Sequence, residues 1–245
     1  MEIKTAMRRP YWIPHYASPY DFPSVENALV HPDGLLAIGG DLSPERLIYA
    51  YRRGIFPWYS DEQPILWWSP SERMVLFLED FKISRSLRKT IRKQKFTVTV
   101  DHCFEEVIKN CAAIPRAHEY GTWITNEMIN AYCQLHEYGY AHSVECWENG
   151  QLVGGLYGTA VGQVFCGESM FSKVSDASKV ALSHLVAQLK RWKFGFIDCQ
   201  MYTDHLSSLG AIEIPRSEFQ ELLIHFAHSN DELGCWQFDN DLLML

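Results

Sequence analysis

The chain has 245 residues, of which 47% are hydrophobic and 21% are charged, a composition typical of a globular protein with one large or two small domains. Its apolar runs are too short to span a membrane, and no apolar segment follows the basic residues near its start, so neither a membrane span nor a secretory signal is expected. Seven cysteines without a CxxC pair favour reduced thiols in a cytoplasmic protein. The ten histidines lack metal-ligand spacing, so no metal is expected.

Positive charge is concentrated in one segment of this acidic chain. The formal net charge of −8 argues against nucleic-acid binding by the protein as a whole, yet residues 82–95 contain seven Lys or Arg and no acid. Such a segment favours a local site for a polyanion. The alternative is a solvated helix face, but seven uncompensated charges repel one another, and this favours the functional interpretation.

An N-terminal α/β domain is predicted over residues 1–74. Its first 30 residues are rich in Pro and aromatic residues and lack periodicity, which predicts irregular chain packed on a domain. A short strand at residues 35–38 precedes a helix that begins after Ser43 and ends at Gly54. The three tryptophans that follow, interrupted by prolines, predict loops with exposed rings, of which one or two belong to the core.

The second predicted domain, residues 75–245, opens with a strand at 74–78 and an amphipathic helix capped by Ser84 within residues 84–95. Its apolar side chains lie opposite five basic ones: Arg85, Arg88, Lys89, Arg92 and Lys93. After a strand at 96–100, Asp101 is expected to cap a helix, and Thr125 is expected to cap the next one.

Three antiparallel strands follow, the first two joined by a type I′ turn at Asn149-Gly150. The third strand is expected to end in a tight turn at Gly167, which places Glu168 at the strand end. The remaining predicted elements are a long helix capped by Ser175 or Asp176, a strand at 196–200, a helix near 204–209 and a strand at 211–214.

This βββ-α-β-α-β order is that of the acyl-CoA N-acetyltransferase-like (GNAT) fold, so the predicted class is α+β, with a small N-terminal α/β domain followed by a GNAT-like domain. In that fold a glycine-rich loop before the long helix binds the pyrophosphate of coenzyme A. Here residues 171–176 contain no glycine and one acid, which argues against an acyl-CoA donor.

Glu168 is the unusual polar residue of this region, because its neighbours Phe165, Cys166, Met170 and Phe171 are apolar or weakly polar. Burial of a lone carboxylate costs free energy unless it is hydrogen-bonded or faces a polar ligand. The simpler alternative is a solvent-facing Glu at a strand end.

Seven segments in order resemble the leucyl/phenylalanyl-tRNA–protein transferase family. They are IFPWYS at 55–60, WWSP at 67–70, GTWIT at 121–125, GGLYG at 154–158, FCGESMFS at 165–172, IDCQ at 197–200 and SLGAIEIPR at 208–216. The resemblance covers roughly residues 22–219. It implies an aminoacyltransferase of the N-degron pathway that moves Leu, Phe or, less readily, Met from aminoacyl-tRNA to a protein whose N-terminal residue is Arg or Lys. The ester is already activated, so no cofactor is implied.

The resemblance also implies a set of site residues. Asp198 and Gln200 match the family's proposed catalytic pair, and as residues i and i+2 of a strand they are expected to share a face. Gln200 would contact the attacking amine and Asp198 would polarise or orient it; the alternative is a buried Asp that only holds Gln200. Glu168 is the third member, facing either the donor α-ammonium or the basic acceptor side chain.

An apolar pocket is expected for the donor side chain, although plain core is the alternative for most of its members: Leu156, Phe165, Met170, Leu182, Leu185 and Ile197. Trp58 and Trp123 are the candidates to stack on the terminal adenosine. The basic helix would bind tRNA backbone. A non-catalytic RNA- or peptide-binding module and a coenzyme A-dependent acetyltransferase remain alternatives, and the protein is expected to be a monomer.

Overall fold

The computed structural model describes residues 9–114, 123–231 and 233–242. The first eight residues, and the Gly121 and Thr122 of the GTWIT motif, lie outside these ranges. Within them, no helix combines the length and apolarity needed to cross a membrane.

The strands of the described part of the chain are, in order, β1 Tyr11–Ile13, β2 Leu35–Gly39, β3 Phe56–Pro57, β4 Leu66–Trp68, β5 Glu72–Phe77, β6 Thr97–Val100, β7 Ala141–Glu148, β8 Gln151–Val161, β9 Val164–Ser172, β10 Phe196–Gln200 and β11 Ile212–Pro215. The helices are α1 Pro44–Arg52, α2 Arg85–Arg92, α3 Phe104–Ala112, α4 Asn126–Glu137, α5 Ala177–Arg191, α6 Asp204–Ser208 and α7 Arg216–Phe226.

The strands form two sheets, so the fold is a mixture of α and β structure. The first sheet has the order β1-β2-β4-β3 and the second has the order β11-β5-β10-β9-β8-β7-β6. In the second sheet β9 and β10 are parallel, whereas β7, β8 and β9 form the expected antiparallel meander. The expected domain boundary after residue 74 falls inside β5, which pairs with β10 and β11.

One hydrophobic cluster joins the two sheets. It contains Trp67 from β4, Tyr51 from α1, Ile108 from α3, and Tyr157 and Phe196 from the second sheet. A second cluster covers the opposite face of the second sheet with α2 and α5. Because the first sheet shares its core with the second, side chains from both can meet at one site.

Several local predictions are confirmed by the backbone and by capping hydrogen bonds. The Ser84 Oγ accepts the Leu87 N–H at 3.1 Å at the start of α2, and the Thr125 Oγ1 accepts the Met128 N–H at 3.2 Å at the start of α4. Asn149 and Gly150 have φ values of 53° and 76°, as a type I′ turn requires. These features depend on adjacent residues alone, and this is why the sequence predicts them.

The prediction that Asp101 caps a helix is wrong. Helix α3 begins two residues later, after Cys103, and Asp101 adopts φ 56°. Its carboxylate accepts the backbone N–H groups of Ser143 at 3.0 Å and Trp236 at 2.7 Å. The side chain thus satisfies buried backbone donors from distant parts of the chain, which no local pattern reveals.

The aromatic segments after α1 are only partly the expected loops: Phe56–Pro57 and Leu66–Trp68 are strands, whereas Trp58 lies in the loop after β3. The prediction that one or two of the three indole rings belong to the core is confirmed by Trp67. The Trp67 side chain is fully buried in β4, and Trp58 and Trp68 are half-buried. Pairing of β3 and β4 satisfies their backbone groups and turns one indole into the core. The predicted order likewise omits β1, which pairs with β2, and the helix α7.

Candidate active site

A cavity of about 620 Å³ lies where β3 of the first sheet meets β8, β9 and β10 of the second. Its wall contains nine of the predicted site residues: Trp58, Trp123, Leu156, Phe165, Glu168, Met170, Leu182, Ile197 and Gln200. The fold therefore brings residues more than 140 positions apart in the chain to one place.

Leu185 does not belong to this wall. Its side chain is completely buried in the second hydrophobic cluster, whereas Leu182, nearly one helical turn earlier on α5, lines the cavity. The two positions differ both in their place along the helix axis and in the direction in which their side chains point, so only one of them reaches the cavity. The expectation that Leu185 contributes to the pocket is wrong.

A β-bulge in β9 lies at Glu168. Gly167 pairs with Gly158 and Ser169 pairs with Tyr157, which leaves Glu168 as the extra residue of β9. In a regular strand, residues five apart point to opposite faces of the sheet. Cys166 and Phe171 instead lie in the same hydrophobic cluster, so the bulge reverses the alternation for the residues after it. The expectation that Gly167 ends the strand is therefore wrong, because β9 continues to Ser172.

Gly158 makes room for this bulge. A Cβ atom at position 158 would lie 2.3 Å from the Cys166 carbonyl oxygen and 2.6 Å from the Phe165 ring. No side chain fits at such distances, so the GGLYG segment provides the close backbone approach that the bulge at Glu168 requires.

Two tyrosines hold the Glu168 carboxyl group. The Tyr51 hydroxyl of α1 donates to Oε1 at 2.7 Å, and the Tyr132 hydroxyl of α4 donates to Oε2 at 3.1 Å. The two hydroxyls also contact each other. Burial raises the pKa of Glu168 from its ordinary value to about 7, although the two hydroxyl donors oppose that shift. The simpler alternative, a solvent-facing Glu at a strand end, is wrong.

Asp198 points away from the cavity and pairs with Arg73. The Arg73 Nε and Nη2 atoms lie 2.8 Å and 2.7 Å from the two carboxylate oxygens, and both side chains are almost fully buried. The guanidinium also lies over the Phe56 and Phe219 rings, 4.6 Å and 4.7 Å from their centroids. Such a buried bidentate pair fixes the position of Asp198.

Gln200 reaches the cavity because β10 is irregular at its end. The register with β5 shifts between Asp198 and Gln200, and Gln200 adopts φ 55°. The two side chains therefore do not share a face, so that expectation is wrong. The Gln200 N–H donates to the Asp198 Oδ1 at 3.0 Å, and its side-chain Nε2 donates to the Asp198 carbonyl oxygen at 3.2 Å. Asp198 thus contacts Gln200 through the backbone.

Comparison with known proteins assigns the family. The family model described as leucyl/phenylalanyl-tRNA protein transferase matches residues 75–224, and the model of that family's N-terminal domain matches residues 40–71. The chain belongs to the leucyl/phenylalanyl-tRNA–protein transferase family. It is 57% identical to the leucyl/phenylalanyl-tRNA–protein transferase of Nitrosospira multiformis, over 94% of this chain and 98% of that protein. Its identity to the Azotobacter vinelandii transferase is 60%, over 83% and 90% of the two chains.

The solved structures found to be similar are distant ones. The L-PGS structure from Bacillus licheniformis has a TM-score of 0.38 and 13% identity, covering 77% of this chain and 64% of that chain. A GCN5-related N-acetyltransferase-like protein from Streptococcus suis has a TM-score of 0.30 and 12% identity, covering 59% of each chain. Likeness at this level carries no argument about the fold or the activity.

In this aminoacyltransferase the five predicted basic residues are exposed and form one basic face, four on α2 and Lys93 directly after its last residue. These residues are Arg85, Arg88, Lys89, Arg92 and Lys93. Within the described ranges, none of the five forms a salt bridge with another side chain. Leu87 anchors the opposite face, and the Thr90 hydroxyl donates to Asp176 at 3.2 Å. Because Asp176 directly precedes α5, the basic face lies beside the helix whose Leu182 lines the cavity.

Sequence reasoning missed three residues that hold the polar groups of the candidate site: Tyr51, Arg73 and Tyr132. Tyr51 and Tyr132 lie in predicted helices with nothing to mark them, and Arg73 lies one residue before the strand predicted at 74–78. One signal was available for Arg73. A buried Asp198 requires a cationic partner, and Arg73 is the only basic residue of β5, the strand that pairs with β10.

Proposed function

We propose that this transferase forms a peptide bond at the cavity described above, between Leu, Phe or, less readily, Met carried by tRNA and a protein whose N-terminal residue is Arg or Lys. Transfer of Leu or Phe from aminoacyl-tRNA to protein N-termini is the reaction of the family. The observation that carries the residue-level proposal is the cavity itself, which combines an apolar wall, two indole rings and the polar groups of Glu168 and Gln200.

The donor side chain occupies the apolar part of the wall. The side chains of Leu156, Phe165, Leu182 and Ile197 are buried, and Met170 is a half-buried, unbranched side chain that can adapt its shape. An unbranched or γ-branched side chain fits such a slot, whereas a β-branched one brings a methyl group against the strands. One misplaced methyl group is worth about 1–3 kcal/mol of discrimination.

The terminal adenosine of the tRNA stacks on Trp58 and Trp123, which are half-buried and line the cavity from the segment after β3 and from the segment before α4. The basic face of α2 binds the tRNA backbone. Since phosphate contacts carry no sequence information, this face supports binding of any tRNA, and the cavity selects the amino acid.

The chemical step is attack of the acceptor α-amine on the ester carbonyl. Gln200 contacts this amine, and Asp198 positions Gln200 while Arg73 fixes Asp198. Glu168 places a carboxylate beside an ammonium group of the substrates. Alignment of two bound substrates lowers the activation barrier by itself, so Gln200 and Glu168 need to supply only part of the rate.

The same proposal includes the finer architecture expected from the sequence: a small N-terminal domain joined to a GNAT-like domain, in a monomeric cytoplasmic protein. The mixed α and β sheets support it in outline. Analytical ultracentrifugation tests the monomer, and limited proteolysis near residue 74 tests the domain division.

The experiment for the activity uses the full chain with radiolabelled Leu-tRNA and two peptides that differ only in their first residue, Arg or Ala. We expect label in the Arg peptide alone, without added coenzyme A, ATP or metal. Retention of Leu-tRNA without peptide labelling would favour the binding module, and acylation of the peptide by added acyl-CoA in place of Leu-tRNA would favour an acetyltransferase.

A further inference from the structure

We propose that Glu168 accepts the proton that the acceptor α-ammonium loses before attack, and that Tyr51 and Tyr132 position its carboxyl group for this transfer. The inference rests on the proposed function and assigns a role to the one carboxylate among the described residues of the cavity wall. Tyr51 and Tyr132 are positioning residues, because they act through Glu168.

The location of Glu168 suits this role. It lies two residues beyond Cys166 on β9, and Gln200 lies two residues beyond Asp198 on the parallel neighbour β10, where Cys166 and Asp198 are paired. Both side chains line the cavity. An amine held by Gln200 is therefore beside the carboxylate, and each carboxylate oxygen keeps a second lone pair after accepting one tyrosine hydroxyl.

The three side chains form a ring with room for one more proton. Their oxygens meet in three pairs: Tyr51 with Glu168, Tyr132 with Glu168, and Tyr51 with Tyr132. Burial keeps the pKa of both tyrosines well above 10, so each retains one hydroxyl proton. When Glu168 is ionised, the two tyrosine hydroxyl protons are shared among three oxygen pairs, so one pair has no proton between its oxygens. A proton added to Glu168 gives each of the three pairs one hydrogen bond. Proton uptake thus leaves no donor or acceptor unsatisfied.

Other groups around Glu168 modify its proton affinity but do not replace it. The charged and titratable groups that face the ring are Tyr51 of α1, Arg73 of β5, Tyr132 of α4, Tyr157 of β8, Cys166 of β9 and Asp198 of β10. Asp198 raises the pKa of Glu168 and Arg73 lowers it, and these opposite charges partly cancel because they form an ion pair.

His205 is the competing proton acceptor in the cavity wall. Burial and the Lys179 ammonium lower its pKa, so the ring is neutral near pH 7 and has an open nitrogen. The same Lys179 charge repels a substrate ammonium, however, whereas an ionised Glu168 attracts one. The electrostatics therefore favour Glu168 over His205.

The protons balance over the reaction. The α-ammonium carries three protons, and Glu168 takes the first, leaving a neutral amine. Its nitrogen forms a bond to the ester carbonyl carbon, and a second proton passes from this nitrogen to the ribose oxygen as the carbon–oxygen bond breaks. The product amide keeps the third proton. Glu168 then returns its proton to water before the next turnover.

The test measures single-turnover transfer of Leu to an Arg peptide at saturating acceptor between pH 5.5 and 9. We expect the wild-type rate to rise through a midpoint near the pKa of Glu168, and Glu168→Gln to lose at least about 100-fold at pH 7. Tyr51→Phe and Tyr132→Phe remove donors that stabilise the carboxylate, so the midpoint moves to higher pH while the high-pH rate is retained. A purely structural role would lower the rate without moving the midpoint.

Tyr140→Phe is the matched control. Tyr140 is a half-buried tyrosine that donates to a carboxylate, Asp231, at 3.3 Å outside the cavity, and its loss should leave the midpoint unchanged. Acceptor peptides with different α-amine pKa values distinguish titration of Glu168 from titration of the amine. The midpoint should stay fixed as the peptide changes.

The carboxyl pKa is also measured directly by ¹³C NMR of the enzyme labelled at glutamate, a readout that does not require activity. The NMR measurement reports on Glu168 even if a variant is inactive or if wild-type transfer is not observed. Failure of the proposed function can therefore be distinguished from failure of the proposed role of Glu168. A Glu168→Gln rate close to that of the wild type, an unmoved midpoint in the Tyr51→Phe enzyme, or loss of the ionisation in His205→Gln would each overturn the proposal.

Discussion

The Arg73 guanidinium contacts both carboxylate oxygens of Asp198, at 2.8 Å and 2.7 Å, in a pair that is almost fully shielded from water. This pair is adjacent to the cavity but does not line it. Asp198 thus connects a buried structural ion pair to Gln200, whose side chain does reach the cavity. The two residues expected to act together are coupled through the backbone.

Removal of Asp198 should affect stability as well as rate. Asp198→Ala leaves the Arg73 charge buried without a partner, which costs about 3–5 kcal/mol of unfolding free energy. Gln200→Ala removes no charge and should leave stability nearly unchanged. Urea denaturation of both variants measures the difference. Equal stability of the two variants would mean that the ion pair is not maintained in solution.

At the chemical step, Gln200→Ala and Asp198→Asn should both lower kcat while the affinity for aminoacyl-tRNA stays nearly constant. Because Asp198 acts by positioning Gln200, the double variant should be little worse than the more damaged single variant. Single-turnover rates and tRNA binding are measured at a temperature where all variants are folded. Additive losses would separate the two residues and assign Asp198 a structural role alone.

Met170→Ala should enlarge the cavity and shift donor preference toward a bulkier side chain such as Trp. Leu185→Ala is the matched control, because Leu185 is buried on α5 but does not line the cavity. It should cost about 2–5 kcal/mol of stability and leave the Phe-to-Leu and Trp-to-Leu rate ratios unchanged. Competition between two labelled aminoacyl-tRNAs gives these ratios. A uniform loss for all donors in the Met170→Ala enzyme would assign Met170 to the core.

Charge reversal of Arg85, Arg88 and Arg92 should raise KM for aminoacyl-tRNA and flatten its dependence on salt. The log–log slope should fall by about one unit for each phosphate group that the variant no longer binds. Short aminoacyl-adenosine donors should be affected much less. Arg88→Glu can be compared with Lys109→Glu, which makes the same change in net charge on the exposed surface of α3. An equal loss with both kinds of donor would contradict binding of tRNA by α2.

Glu168 should also give the unfolding free energy a distinctive pH dependence. Its pKa is about 7 in the folded protein against an ordinary 4.5, so the folded state binds more protons between these values. The contribution of this carboxyl to stability is therefore complete below pH 4.5 and is lost as the pH rises through 7. Glu168→Gln should remove that decline. Denaturant titrations of the wild type and the variant at pH 5, 6, 7 and 8 measure this decline in unfolding free energy. Parallel pH profiles of the two proteins would place the pKa of Glu168 near its ordinary value.

The sequence alone determined the features that depend on neighbouring residues. The caps at Ser84 and Thr125, the type I′ turn at Asn149-Gly150, the basic face of α2 and the family itself are all visible in short segments of the chain. Strand alternation and helix periodicity also placed most of the apolar side chains of the cavity.

The polar centre of the site was decided by the tertiary structure. Strict alternation predicts that Asp198 and Gln200 share a face, and Gly167 predicts that the strand ends at Glu168; two irregularities in pairing change both results. A bulge forms only when a neighbouring strand fixes the register, so it cannot be read from one strand. The partners of the Asp198 and Glu168 carboxylates are Arg73, Tyr51 and Tyr132. They come from other elements of the fold, because a carboxylate shielded from water is satisfied by whichever donors the fold brings to it.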